Sequence, residues 1–222
     1  MHISGTNLKT KLYELCGEIL TTVHSAKYLG VTISDNLEWH NQVCSMAKSA
    51  NSTLRLIARN HHNCTRATRA LAYTTLVRPK MEYCATVWDP HHQKDIDCLE
   101  RVNRKAARIV YRKALRDKDV SPTKLIADLK WETLASRREH QRLTMIYRII
   151  NGLIAIPPTH HLSKPNVKTR GHSQKFQTIR TIIDPVKFSF YPRTIRQWNT
   201  LSEETVSAPT IDRFKASLPQ NH

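Results

Sequence analysis

The chain has 222 residues, of which 35 are lysine or arginine and 18 are aspartate or glutamate, so its formal net charge at pH 7 is +17. A positive excess of this size favours a polyanionic partner, with nucleic acid first and an anionic membrane surface second. The five glycines form neither a GxGxxG nor a GxxxxGK[ST] motif, so no Gly-rich phosphate loop is predicted.

The N-terminal segment, residues 1–36, is predicted to be a small β unit. The first twenty residues carry polar and charged groups throughout, which does not fit a secretory signal. Strand-forming residues then predict two short strands, Glu18 to His24 and Ala26 to Ser34. Ser34, Asp35 and Asn36 have the composition of a turn that ends this unit.

Residues 37–151 are predicted to be helical. Apolar spacing and capping signals predict helices over about 39–59, from the N-cap Thr65 through Val77, over 80–87, over 93–113, from Pro122 to about Leu129, and over 133–150. The "WDPHH" sequence at 88–92 is predicted to interrupt them, and Asn151-Gly152 to end the last one.

Residues 152–222 are predicted to be an irregular α/β extension. A proline-containing connection leads to a possible strand from Phe176 to Ile183 and to short helices over Arg193 to Trp198 and Ile211 to Leu218. The sequence as a whole therefore predicts a mainly α fold with a short N-terminal β-hairpin.

The strongest candidate site is the basic helix within "RVNRKAARIVYRKALR", residues 101–116, which holds seven basic residues and no acidic one. The candidate nucleic-acid-binding residues are Arg101, Arg104, Lys105, Arg108, Arg112, Lys113 and Arg116. The arginines at 104, 108, 112 and 116 lie four apart, so a continuous helix would place them in one stripe, where like charges repel. Phosphate binding would relieve this repulsion and release counterions. The alternative is a solvated face of a core helix, and nothing in the stripe specifies a base sequence.

A second basic side is predicted to be solvated. Acidic residues at 132 and 139 partly neutralise its charge, so a solvated face is favoured over a binding site for a polyanion. Its basic members are Arg137, Arg138, Arg142 and Arg148.

Metal and catalytic sites are not expected. His61 and Cys64 could form half of a zinc site, but no second half lies at ligand spacing. The close aspartate pairs, Asp95/Asp97 and Asp117/Asp119, lie near predicted helix ends, where aspartate serves as a cap or a turn residue. We therefore predict no catalytic residue, no bound metal and no small-molecule substrate.

The other side chains fit an intracellular core. The four tryptophans lie at element boundaries or on helix faces, where packing is the expected role and base stacking the alternative. The five cysteines form no CxxC motif, which favours reduced thiols, and no apolar run is long enough to span a bilayer. These features favour an intracellular protein, nuclear or cytoplasmic, that is neither secreted nor inserted in a membrane.

Five segments together resemble the C-terminal part of reverse transcriptases from non-LTR (LINE-like, jockey-like) retrotransposons. In chain order they are "SAKYLGVTISDNLEW" (25–39), "AYTTLVRPKMEYCATVWDP" (72–90), "IDCLERVNRKAARIV" (96–110), "YRIINGLIAIPP" (147–158) and "FYPRTIRQWNTLS" (190–202). The resemblance extends from about Tyr13 to Leu218.

The resemblance implies a polymerase of fingers, palm and thumb, with its catalytic aspartates in an Ala-Asp-Asp motif of the palm upstream of "YLGV". This sequence holds no Asp-Asp pair. By resemblance, residues 1–36 are the end of the palm, 37–151 a helical thumb-like domain and 152–222 the C-terminal extension. The Mg²⁺ of such enzymes is expected only in the missing palm.

The predicted function is nucleic-acid binding by a truncated RNA-directed DNA polymerase that does not itself polymerise. Its expected partners are RNA, DNA or an RNA–DNA hybrid, held through the backbone. Two alternatives remain: a relic or partial gene product of a transposable element with no selected activity, and one piece of a complete enzyme.

Overall fold

The computed structural model describes residues 13–112, 121–158, 162–165 and 171–219. Within these ranges the chain is mainly helical, with short antiparallel hairpins at its N-terminal end. The predicted mainly α fold class with an N-terminal β-hairpin is confirmed.

Two hairpins stand where two single strands were predicted. β1 (Glu14–Leu15) pairs with β2 (Glu18–Ile19), and β3 (Ser25–Tyr28) pairs with β4 (Val31–Ser34), both antiparallel. The strand predicted over Glu18 to His24 is thus reduced to β2.

The strand predicted over Ala26 to Ser34 is wrong, because the chain turns at Leu29 and Gly30. These residues have positive φ, +46° and +83°, the pattern of a two-residue type I′ hairpin turn. The Tyr83 hydroxyl donates to the Leu29 carbonyl at 3.0 Å, and Val31 is buried in the helical core. The second hairpin is therefore docked on the helices.

The helical body agrees with the predicted order of elements. It consists of α1 (His40–Asn60), α2 (Arg66–Ala72), a π-helical turn (Tyr73–Val77), α3 (Arg78–Glu82), α4 (Ala85–Trp88), α5 (Gln93–Val110), α6 (Pro122–Asp128) and α7 (Leu134–Ile150). The hydroxyl of Thr65 accepts from the Thr68 backbone N–H at 3.2 Å, so the predicted N-cap of α2 is confirmed. The single helix predicted over 80–87 is wrong, because Cys84 adopts a left-handed conformation (φ +52°) that separates α3 from α4.

The first hydrophobic core lies between α1 and α5 and extends to α2, α3, α4 and α6. Its most buried members include Val43, Leu54, Val77, Met81, Trp88, Leu99 and Ala106. The Tyr73 hydroxyl donates to Asn103 Oδ1 at 2.8 Å, and its ring stacks on Trp131 with centroids 4.4 Å apart. Trp88 is fully buried, so packing is confirmed for both tryptophans.

A second core forms on the later part of α7 with the C-terminal helices. These are α8 (Asp184–Lys187), α9 (Phe190–Trp198), α10 (Glu203–Val206) and α11 (Ile211–Ser217). Trp198 and Phe214 are fully buried there, and Tyr147 of α7 stacks on Phe214 at 4.5 Å. Leu134 at the start of α7 belongs to the first core and Leu143 to the second, so α7 is shared between them.

The strand predicted from Phe176 to Ile183 is not formed, and the regular elements of residues 171–219 are helices. The Asn199 side chain explains this at Phe176. Its Nδ2 donates to the Phe176 carbonyl at 2.8 Å, and its Oδ1 accepts from the Phe176 N–H at 3.0 Å. A side-chain amide therefore satisfies the two backbone groups that a neighbouring strand would pair.

In the part of the chain that the structure describes, no helix has both the length and the apolar character needed to cross a membrane.

Candidate nucleic-acid interface

The basic helix α5 has two chemically different faces. Leu99, Val102, Ala106 and Val110 lie on one face and are buried in the first core. Basic side chains at 101, 104, 105 and 108 follow the i, i+3, i+4, i+7 spacing of a single face on the other side. Burial of the apolar face thus fixes the direction in which the basic face points.

The α5 basic face consists of Arg101, Arg104, Lys105 and Arg108. Arg101 and Arg104 are exposed, whereas Lys105 and Arg108 are half-buried. Together with Pro122 at the start of α6, these side chains line an open depression of about 340 Å³. The depression is therefore lined by the α5 basic face and one proline ring.

The acidic residues of α5 form no ion pair with this face in the described chain, and each contacts another group. Asp95 is buried and lies 2.6 Å from Nδ1 of His40 in α1. Asp97 accepts from the Gln93 side chain at 3.0 Å, and Glu100 Oε1 accepts from the backbone N–H of Ala135 in α7 at 2.9 Å.

Three cations of the α5 basic face are consequently without an acidic partner. Arg101, Arg104 and Lys105 form no ion pair with any residue in the described ranges. Within the described chain, the mutual repulsion of these cations is therefore relieved by no direct ion pair.

The predicted stripe of four arginines does not continue to its end, because α5 stops at Val110. Arg69 of α2 donates from Nε and Nη2 to the Val110 carbonyl, at 3.0 and 2.8 Å, and so binds the end of the helix. Arg112 follows with φ +58°, outside the helical geometry that the stripe requires. Arg112 is exposed beyond the helix end, and Lys113 and Arg116 lie outside the described residues.

The second basic side was predicted to be a solvated face, and for most of it this prediction is wrong. Two of its arginines form a buried ion cluster. The Arg138 and Arg142 side chains are 1% and 2% exposed. Arg138 Nε donates to Asp89 Oδ1 at 2.7 Å, and Arg142 pairs with the other carboxylate oxygen. Burial lowers the pKa of Arg138 to about 10 and that of Arg142 to about 9, so both stay charged at pH 7.

A third arginine joins this cluster from the C-terminal helices. Arg193 of α9 lies 3.2 Å from Asp89 Oδ2 and donates to the Asp89 carbonyl at 3.2 Å. Burial, and then repulsion by Arg138, lower the pKa of Arg193 to about 10. Sequence reasoning missed Asp89 and Arg193, although "WDP" and "PRTIRQW" both lay within the segments that carried the resemblance.

The remaining members of the second basic side behave differently from each other. Arg137 forms a two-point ion pair with Glu82, and the hydrogen bond from Arg137 raises its own pKa. Arg148 is exposed, as predicted for a solvated face.

The structure adds no support for the possible zinc site or for the aspartate pairs. No group of three or more metal-ligating side chains occurs in the ranges that the structure describes. His61 and Cys64 are joined through a backbone hydrogen bond in the turn after α1. The five cysteines form no disulfide. Asp117 and Asp119 lie outside the described residues.

Comparison of the chain with protein-family models, curated proteins and solved structures found no match.

Proposed function

We propose that the chain binds nucleic acid through the α5 basic face, as the C-terminal part of an RNA-directed DNA polymerase of the non-LTR retrotransposon type. The observation that carries the proposal is the group of three cations, Arg101, Arg104 and Lys105, on one helix face without an acidic partner in the described chain. The five resembling segments support the polymerase class.

The ligand of this face is the phosphate backbone of RNA, DNA or an RNA–DNA hybrid. The α5 basic face offers charge and guanidinium donors but no side-chain amide that could read a base edge. Backbone contacts position a strand without specifying its sequence. Binding should therefore depend strongly on salt and weakly on base composition.

Polymerisation is not part of the proposal, because the aspartate pair of the family's palm does not occur in this sequence. The proposed polymerase class fits a location inside the cell, in the nucleus or the cytoplasm.

The test is a filter-binding titration of an RNA–DNA hybrid against the triple variant R101E/R104E/K105E over a salt series. The wild type should show a steep linear fall of log K with log salt. The variant should bind at least about tenfold more weakly, and its slope should be smaller by up to about 3.

The matched control is K48E/R55E/R59E, which also converts two arginines and one lysine, all exposed on α1. It changes the net charge by the same amount at a different surface. A wild-type protein without a salt slope, or a control that loses as much affinity as the α5 variant, would contradict the proposal.

A further inference from the structure

A cleft of about 300 Å³ lies beside the buried ion cluster, where the loop after α4 meets α9. Its lining residues are His91, Phe188, Arg193, Arg196 and Gln197. Three of them lie on α9 at i, i+3 and i+4, so one face of this helix forms a wall of the cleft. We refer to these five residues as the junction cleft.

The surroundings of the junction cleft carry more positive than negative charge. Arg138, Arg142 and Arg193 share one carboxylate, that of Asp89. Buried charges are costly unless they are compensated, and in the described chain Asp89 is the one carboxylate within ion-pair distance of these three guanidinium groups. Glu139 attracts Arg193, and Glu100 and Glu82 attract Arg138, from a greater distance. Arg196 adds a further cation at the mouth of the cleft.

Three residues that line the junction cleft have hydrogen-bond donors without a partner in the described chain. Arg193 uses Nη1 for its bonds to the loop, so Nε and Nη2 have no partner in the described residues. Arg196 donates from Nε and Nη2 to backbone carbonyls and keeps Nη1. Gln197 accepts from Arg142 through Oε1 at 2.8 Å, which leaves its Nε2 donor.

An aromatic surface completes the junction cleft. The His91 ring lies parallel to the Phe188 ring, with centroids 4.1 Å apart and planes at 5°. Burial lowers the pKa of His91, repulsion by His92 and Arg193 lowers it further, and Asp184 and Glu38 oppose the shift. The His92 ring also lies 4.0 Å from the His91 ring, and Lys187 Nζ lies 5.1 Å from the centre of the Phe188 ring. The stacked pair is therefore a packed aromatic wall of the cleft with a further cation, that of Lys187, beside it.

We propose that the junction cleft binds a phosphate group. Arginine guanidinium groups and an amide N–H supply the donors that phosphate oxygens accept, and the excess of buried positive charge supplies the electrostatic attraction. The cleft, at about 300 Å³, is larger than one phosphate, which leaves room for part of an adjoining nucleotide. Two sources carry this chemistry, a phosphodiester inside a nucleic-acid strand and a phosphomonoester at its end, and the second experiment below distinguishes them.

The junction cleft shares no residue with the α5 basic face. The proposal therefore does not depend on the proposed function, and the triple variant of α5 should keep phosphate binding at the cleft. Either site can fail in experiment without the other.

The first experiment titrates inorganic phosphate against the full chain at constant ionic strength, following the thermal midpoint of unfolding. Arg196 is exposed, so R196Q should fold, which circular dichroism checks. We expect phosphate to raise the midpoint of the wild type and R196Q to bind phosphate about tenfold more weakly, since a charge-assisted hydrogen bond is lost. R196K, which keeps the charge without the planar fork, should fall between the two.

The control is R213Q, which removes an exposed arginine from α11. General salt effects of phosphate act equally on all variants, so only the difference between R196Q and R213Q counts. A phosphate effect that is equal in both variants, or absent from the wild type, would overturn the proposal.

The second experiment identifies the source of the phosphate with a short single-stranded oligonucleotide, with and without a 5′-phosphate. If R196Q weakens both ligands equally, the cleft holds a phosphodiester. If R196Q removes only the extra affinity given by the 5′-phosphate, the cleft holds a phosphomonoester. Equal affinity of R196Q and wild type for both oligonucleotides would contradict nucleic acid as the source.

Discussion

Asp89 and Arg193 lie 104 residues apart in the chain, and their side chains meet at 3.2 Å. Asp89 directly follows the last residue of α4, and Arg193 belongs to α9 of the C-terminal helices. Arg138 and Arg142 of α7, which lies between α4 and α9 in the sequence, also pair with Asp89. One carboxylate therefore joins the first core, the shared helix and the second core.

Replacement of Asp89 by asparagine should be strongly destabilising. The variant keeps the shape of the side chain but leaves the buried charges of Arg138 and Arg142 uncompensated. Loss of one partner of a buried ion pair costs about 3–5 kcal/mol. The free energy of unfolding from urea titration measures the change.

The control for this substitution is Asp128→Asn, at an exposed position near the end of α6. It should alter the free energy of unfolding by less than about 0.5 kcal/mol. If Asp89→Asn were as mild as the control, the cluster would not stabilise the fold in the way described.

Tyr73 should make the stability of the protein fall at alkaline pH. Burial raises the pKa of its phenol well above the ordinary value of 10.0, so the folded state retains a proton that the unfolded state releases. The stabilisation linked to this proton is complete below pH 10 and is lost as the pH rises above that value. Tyr73→Phe should remove this contribution to the pH dependence.

The measurement compares the free energy of unfolding of wild type and Tyr73→Phe from pH 8 to pH 11. At pH 8 the variant should already be less stable by about 1–2 kcal/mol, because the buried Asn103 loses a donor. The difference should shrink above pH 10. Tyr28→Phe, at a side chain that is 67% exposed, should match the wild type throughout. A constant difference between Tyr73→Phe and wild type at all pH values would refute the buried titration.

The turn between β3 and β4 should be intolerant of a side chain at Gly30. A Cβ there would lie 3.3 Å from Tyr83 Cε1, in addition to the strain of φ +83°. Gly17 has nearly the same φ, +84°, but a Cβ at that position would meet no atom within 4 Å. The two glycines therefore separate backbone strain from the contact with Tyr83.

Gly30→Ala should lower the free energy of unfolding by about 1–2 kcal/mol, the cost of a left-handed conformation for a residue with a Cβ, plus any displacement of Tyr83. Gly17→Ala should cost less, since a Cβ there carries the same backbone strain but has no atom within 4 Å to displace. Denaturant titration of both variants measures the two losses in the free energy of unfolding. Equal losses would mean that the contact with Tyr83 has no effect on stability.

The helices were predictable where the signal is local. Thr65 precedes α2, and its hydroxyl accepts from the Thr68 N–H at 3.2 Å, as the capping pattern predicted. The apolar period of α5 likewise identified its buried face. Caps and periodicity depend on residues three or four apart, which the sequence displays directly.

The predictions that were wrong concern residues whose partners are distant in the sequence. Arg138 and Arg142 have the composition of a solvated side, and only the distant Asp89 makes their burial possible. The early end of α5 has the same kind of cause, since Arg69 binds the Val110 carbonyl across 41 residues. Arg112 and Lys113 are good helix formers, so local propensity favoured a longer helix than the fold allows. The sequence thus predicted the helix that carries the candidate site, but not the end of that helix at Val110.

The position of α7 in both cores affects how the chain unfolds. A helix cannot lose one half of its packing without exposing its own backbone hydrogen bonds to solvent, so fraying of the C-terminal helices is opposed by the first core through α7. The two cores should accordingly behave as a single cooperative unit, and a perturbation at either end should reach the other through one shared element.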